Sequence, residues 1–125
     1  MKLLILLYCL VLSFSAYAEN ISLKMYSSKT KKYEEVKIFT QDGLKISSNC
    51  IKKGKPDCEA LRVGLGSAKE KPQGPVLGNP AARYCAAFNA GNRILKDEKN
   101  NEYDYCVFSD GSMIDSWSLY YRHHK

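Results

Sequence analysis

The sequence predicts an α+β fold: a small disulfide-stabilised domain with an N-terminal β-hairpin and a C-terminal helix, three-stranded antiparallel sheet and short helix. Three observations carry this expectation. An export leader leaves 107 of the 125 residues, room for one small domain. Four cysteines remain in that mature chain, an even number that in an exported protein reads as two disulfides. Two Asp-Gly pairs, Asp42-Gly43 and Asp110-Gly111, interrupt runs of β-forming residues and mark tight turns. A doubly wound nucleotide-binding enzyme, a barrel or two independent cores all call for more chain than this. With 11% aromatic and 26% charged residues, the composition supports a packed core and excludes a purely disordered chain.

Residues 1–18 begin Met1-Lys2, continue through an apolar run from Leu3 to Leu12, and end in Ala16-Tyr17-Ala18 before the polar Glu19-Asn20. This is the pattern of a signal peptide cleaved after Ala18, and it sends the protein to the periplasm or the medium. A membrane span needs about 20 apolar residues, and Ser13 and Ser15 interrupt the run. Cys9 follows Tyr8, where a lipoprotein signal places a small residue, so no lipid anchor is expected. The other cysteines allow three connectivities; Cys50 with Cys58 and Cys85 with Cys106 is chosen because each pair staples locally adjacent elements. Each bridge contributes about 2–4 kcal/mol by restricting the unfolded chain. A structural zinc site is disfavoured, since no Cys-x-x-Cys spacing is present.

The mature chain divides into a basic hairpin region with its disulfide loop (19–63), a Gly/Pro-rich linker (64–78) and an α+β module (79–125). In the first region Tyr33 to Thr40 is rich in β-formers, Asp42-Gly43 turns the chain, and Leu44 to Ser48 returns, setting Phe39 opposite Ile46. The loop from Cys50 to Cys58 contains Gly54 and Pro56, and a short helix follows over 58–63. From Gly64 to Gly78 there are four Gly and two Pro, which reads as a linker. Asn79 then supplies an N-cap and Pro80 a first helical residue for a helix that reaches Phe88 and stops at Gly91. Strands are expected over 92–96, 102–108 and from Ser112. A two-residue turn at Asp110-Gly111 would set Phe108 opposite Met113 and Val107 opposite Ile114. Asp115 caps a last helix over 116–121.

Charge is uneven. Residues 19–56 carry nine lysines against four acids, while the remaining nine basic and nine acidic residues of the mature chain cancel. A solvated lysine surface guarding sheet edges is the plain reading; attraction to an anionic envelope polymer or an acidic protein is the functional one. The basic residues are mostly lysine without a recognition motif, so nucleic acid is not an expected partner.

Little in the chain points to catalysis. His123 and His124 stand beside the last residue, where ends fray, and read as surface histidines without a partner to hold a tautomer. Asp97, Glu98, Glu102 and Asp104 surround a turn but lack calcium-loop spacing. Asp110, Gly111 and Ser112 read first as a hairpin turn. No catalytic residue, metal site or cofactor is expected. Trp117, Tyr84, Phe88 and Tyr105 read as core around the Cys85–Cys106 bridge; left exposed, aromatics such as Trp117 and Tyr120 would instead form a sugar- or peptide-binding face. A disulfide-closed loop presenting Lys52, Lys53 and Lys55 is ordered before it meets a partner, as a protease-inhibitor loop is.

The stretch Asn79-Pro80-Ala81-Ala82-x-Tyr84-Cys85, then Tyr105-Cys106-Val107-Phe108-Ser109-Asp110-Gly111-Ser112, then Asp115-x-Trp117-x-Leu119-Tyr120-x-Arg122 resembles the bacterial domain-of-unknown-function 333 family, whose members often carry a hemolysin label. The resemblance covers about residues 78–123. Ala90-Gly91 stands where the family commonly has Gly-Gly, Ser109 where it commonly has Pro, and a later cysteine of many members is absent. The resemblance implies an exported bacterial module without a settled activity. The expected role is non-enzymatic binding at the cell envelope or outside the cell, by a monomer. Two rival readings are inhibition of a secreted hydrolase through the Cys50–Cys58 loop and hemolysin-like action on membranes. A pore former must present about 20 apolar residues or a set of alternating strands to lipid, and no such apolar run follows the leader.

Overall fold

Alternation of side chains builds most of the structure. A computed structural model describes residues 20–72 and 78–125; the expected leader and the 73–77 part of the Gly/Pro-rich segment lie outside the described residues. The elements are β1 (Ile21–Ser27), β2 (Lys32–Gln41), β3 (Leu44–Ser47), a 3-10 turn (Ser48–Cys50), a small ribbon of β4 (Ile51–Lys52) and β5 (Lys55–Pro56), and α1 (Glu59–Leu65). After the 73–77 break come α2 (Pro80–Tyr84), a second 3-10 turn (Cys85–Phe88), β6 (Gly91–Lys96), β7 (Glu102–Val107), β8 (Met113–Asp115) and α3 (Ser116–His123).

The main sheet is a closed six-stranded antiparallel barrel in the order β1-β2-β3-β8-β7-β6. This corrects the expected three-stranded sheet, and with it the exclusion of a barrel on length. That exclusion holds for barrels with a helix after each strand; antiparallel strands joined by tight turns close a barrel with far less chain. A sheet of β6, β7 and β8 alone leaves two edges of unpaired N–H and C=O groups. β1 covers one through Lys24–Lys96 and Met25–Leu95, and β3 covers the other through Ile46–Ile114. β1 has no counterpart among the sequence-predicted elements, although Ile21, Leu23 and Met25 alternate with Ser22, Lys24 and Tyr26 at strand period.

Period-2 alternation gives the barrel two apolar faces. Leu23, Ile38, Leu95, Tyr105 and Met113 fill the inside, with Met25, Val36, Tyr103 and Val107 around them. On the outside, Phe39, Leu44, Ile46, Cys106 and Ile114 pack against Ala60 and Leu61 of α1, Tyr84 of α2 and Leu119 of α3. Gly64 lies within α1 instead of opening a linker, and it has to be small: a Cβ there would stand 2.6 Å from Leu44 Cδ1 and 3.1 Å from Ile114 Cδ1.

The two Asp-Gly turns differ. Asp42 and Gly43 both take positive φ, 52° and 76°, and the two-residue turn sets Phe39 opposite Ile46. At Asp110-Gly111 only the glycine does, with φ 83°. The Phe108 amide bonds to Ser112 O and the Gly111 amide to Phe108 O, which makes a three-residue loop. The register is therefore Val107–Met113 and Cys106–Ile114, one residue away from the expected pairing. The Asp110 carboxylate accepts from both the amide and the hydroxyl of Ser112, which fastens the loop. The extra residue turns Cys106 and Ile114 toward the helices and leaves Val107 and Met113 inside. The helix after Asn79 is also shorter than expected: α2 gives way to the 3-10 turn at Cys85, and Asn89, at φ 56°, caps it in place of Gly91.

Three barrel strands precede the 64–78 stretch and three follow it. A fragment of residues 78–125, oxidised and monitored by circular dichroism, is expected to show no cooperative thermal transition, whereas the protein from residue 19 to 125 shows a single one.

Candidate functional site

The Cys50–Cys58 bridge, with Cα atoms 4.9 Å apart, closes the β4–β5 ribbon. Its tip is a two-residue turn with Lys53 at φ 51° and Gly54 at φ 75°, and Lys52 pairs with Lys55 across it. Lys52, Lys53 and Lys55 are exposed. The base of the ribbon runs into α1, where Cys58 Sγ accepts the Leu61 amide at 3.4 Å.

The Asp110-Gly111-Ser112 turn binds this same helix start. Asp110 Oδ2 accepts the Glu59 amide at 2.8 Å, and Ser112 Oγ accepts the Ala60 amide at 3.0 Å. Asn49 Nδ2 donates to Gly111 O at 2.8 Å, and Ser109 Oγ donates to Glu59 Oε2 at 3.0 Å. Two free amides of α1 are thus capped by a turn fifty residues further along the chain. Burial pushes the Asp110 carboxyl up, but the Glu59 amide, the Ser112 hydroxyl and amide and the Lys52 charge outweigh it, so the group lies below its ordinary range. These contacts give the turn a structural role.

A second bonded centre surrounds the Cys85–Cys106 bridge, whose Cα atoms are 5.2 Å apart. Asn79 Oδ1 accepts the amides of Ala81 and Ala82 at 2.9 and 3.4 Å, with Pro80 as first helical residue. Its Nδ2 donates to Asp104 Oδ2 at 2.7 Å, while Asn92 Nδ2 donates to Oδ1 at 3.0 Å. Tyr84 is fully buried, edge-on to Phe88 at 5.1 Å and to Tyr120 at 5.7 Å. Burial pushes its phenol above the usual range.

The histidines depart from the sequence reading, because the chain end is docked. His123 Nε2 lies 3.1 Å from Val63 O and Nδ1 lies 2.7 Å from the Tyr84 hydroxyl. A carbonyl only accepts, so Nε2 donates to Val63 O, while Nδ1 bonds to the Tyr84 hydroxyl. The phenol oxygen in turn accepts the Lys69 amide at 2.9 Å. One chain of bonds therefore ties α1, the 66–72 segment, α2 and α3 together. His124 packs on Tyr84 and Tyr120, and desolvation, followed by Lys71 and His123, lowers its pKa.

The outer side of α3 is the third feature. Asp115 caps it through the Ser118 amide at 2.7 Å, Leu119 faces the core and Tyr120 meets Tyr84. Burial raises the Asp115 carboxyl. Trp117, expected in the core, packs in neither buried cluster; it stacks on Tyr121 at 5.3 Å with 27° between the rings. Beside Tyr121 an open cleft of about 320 Å³ runs between α3 and the Asp42-Gly43 turn, lined also by Ser118, Arg122 and Lys125. A smaller cavity of about 120 Å³, lined by Lys45, Asp97, Tyr103 and Tyr105 among others, opens at one end of the barrel. Among the described residues no three His, Cys, Asp or Glu side chains come together as metal ligands.

These features define a class first: a small α+β barrel protein whose two disulfides are consistent with a place outside the cytoplasm. Residues 76–123 match the family described as Domain of unknown function (DUF333), so the chain carries a DUF333 domain there. No curated protein and no solved structure matches the chain. The matched stretch contains α2, β6, β7, β8 and α3, and its Asp110 and Ser112 cap α1, which lies before it.

Two outcomes follow for these anchors. Asp110→Ala removes a cap and is expected to cost about 1 kcal/mol at pH 7. Because the native carboxyl titrates below its ordinary value, its contribution is complete above about pH 5 and is lost only as pH falls through and below the ordinary carboxylate range, so the gap between wild type and variant in urea unfolding should narrow steadily on acidification. Tyr84→Phe leaves the Lys69 amide and His123 Nδ1 without their partner; a loss of about 1–3 kcal/mol is expected, read as a lower urea midpoint.

Proposed function

We propose that the protein is an exported, non-enzymatic binding module acting at the cell envelope or outside the cell, where it holds an anionic polymer or an acidic protein surface. The observation that carries this reading is the ribbon: exposed Lys53 on its two-residue turn and exposed Lys52 and Lys55 on either side, closed off by Cys50–Cys58. Much of the ordering entropy of such a loop is already lost before a partner arrives, so its charges act from a fixed arrangement. The lysine surplus of residues 19–56 adds a long-range attraction for anions.

Membrane lysis finds less support. No helix among the described residues is long and apolar enough to cross a membrane. A barrel crossing lipid needs an apolar outer band, whereas β1, β2, β6 and β7 carry Lys24, Glu35, Lys37, Lys96 and Glu102 on positions alternating with the apolar interior. Ser22 bonds to Glu35 at 2.7 Å and Lys96 approaches Glu102 at 3.7 Å, as water-facing cross-strand pairs do.

The experiment is salt elution of the oxidised protein from an immobilised polyanion. Retention at low salt, loss on raising salt, and earlier elution of the Lys52→Ser/Lys53→Ser/Lys55→Ser variant are expected. Identical elution of the variant and the wild type would remove the ribbon from the interaction.

A further inference from the structure

We infer that the cleft between the Asp42-Gly43 turn and α3 binds an acidic glycan, taking a sugar ring on the face of Tyr121 and the carboxylate or phosphate of that sugar on Arg122 and Lys125. The inference rests on the binding reading above and gives it a second site with a ligand class. It starts from an aromatic surplus that the fold does not absorb. Trp117 is the single tryptophan of the chain, yet it joins neither core cluster. Tyr121, 61% exposed, lies almost parallel to it. Trp117 is half-buried and also meets Tyr120 edge-on at 5.8 Å, so of this pair it is Tyr121 that leaves a ring exposed for recognition.

The stacking has a geometric consequence. Trp117 backs one face of Tyr121 and restricts its rotation, so the ring stands as a fixed flat wall of the cleft. The C–H groups of a pyranose carry partial positive charge and match the negative face of such a ring. Polar groups lie within the same cleft. Arg122 Nη1 donates to Asp42 O at 2.9 Å, which fixes the guanidinium at the wall while leaving other N–H groups of its fork to bond an anion. Lys125 and Asp42 line the cleft as well. At about 320 Å³ the cleft lies at the small end of ligand sites, enough for one or two sugar rings. An acidic peptide offers no flat C–H face to Tyr121, so the glycan is the better match.

Trp117 reports on this site directly, because no other tryptophan contributes to emission. The intact oxidised protein is titrated with trigalacturonate, triglutamate and neutral maltotriose, following Trp117 fluorescence and confirming affinities by calorimetry. A saturable change with trigalacturonate is expected, with at least tenfold weaker binding of maltotriose and triglutamate. Tyr121→Ala and Lys125→Gln should each weaken trigalacturonate at least fivefold while the circular dichroism spectrum and melting temperature stay as in wild type. Absence of a response to trigalacturonate, an equal response to triglutamate, or unchanged affinity in Tyr121→Ala overturns the inference. The Lys52/Lys53/Lys55 variant separates the two readings. A trigalacturonate response that persists in it supports the cleft even where the ribbon has no role, and a protein retained through its ribbon without any response at Trp117 overturns the cleft alone.

Discussion

Two short seams close the barrel, and the remaining structure is arranged around holding them. β1 meets β6 through Lys24–Lys96 and Met25–Leu95, and β3 meets β8 through Ile46–Ile114. Seams this short supply few backbone hydrogen bonds, so side-chain packing has to carry them. Ile46 and Ile114 are fully buried, and α1, α3 and the Cys106 strand pack over them. The absence of a side chain at Gly64 lets α1 settle against Leu44 and Ile114. Closure also removes both free edges of the C-terminal three strands, which otherwise invite pairing with other chains.

The capping contacts reinforce the same seam from its two ends. Asp110 and Ser112 hold the start of α1, and His123 holds its end through Val63 O. Both sets of atoms belong to the stretch matched to DUF333, whereas α1 does not. The motif residues Asn79, Pro80, Tyr84, Asp110, Gly111 and Ser112 are therefore spent on caps, a turn and a buried hydroxyl network. What these contacts leave on the surface is a lysine ribbon at one place and an aromatic cleft at another, each backed by a rigid element. That division between a bonded interior and two presentation surfaces is why binding, and not catalysis, is the reading proposed here.

Much of the local structure was legible in the residues. Asp42-Gly43 placed its own hairpin and the Phe39–Ile46 pair, because a two-residue turn leaves one register. Asn79-Pro80 marked a helix start, Asp115 another, and the even count of four cysteines beyond residue 18 pointed to two bridges. The Asp110 turn misled by one residue: Asp-Gly permits either a two- or a three-residue loop, and the choice was made by Ser112 bonding to Asp110 and by α1 docking on both. Trp117 was misplaced for a related reason, since hydrophobicity says that a ring prefers burial but not whether its helix face meets the core.

The sequence by itself determined the Asp42-Gly43 turn, the Asn79 and Asp115 caps, the α+β character and the lysine asymmetry, because each depends on neighbours a few residues apart and on the conformational preferences of single residues. Only the tertiary structure decided that the sheet closes into a six-stranded barrel, that His123 is held between Tyr84 and Val63, and that Tyr121, stacked on Trp117, lines an open cleft. Those outcomes depend on pairings between residues such as Met25 and Leu95 or Val63 and His123, sixty or more positions apart. Edge hydrogen-bonding groups and unpaired apolar faces require partners, and which distant segment supplies them is settled only when the chain is folded.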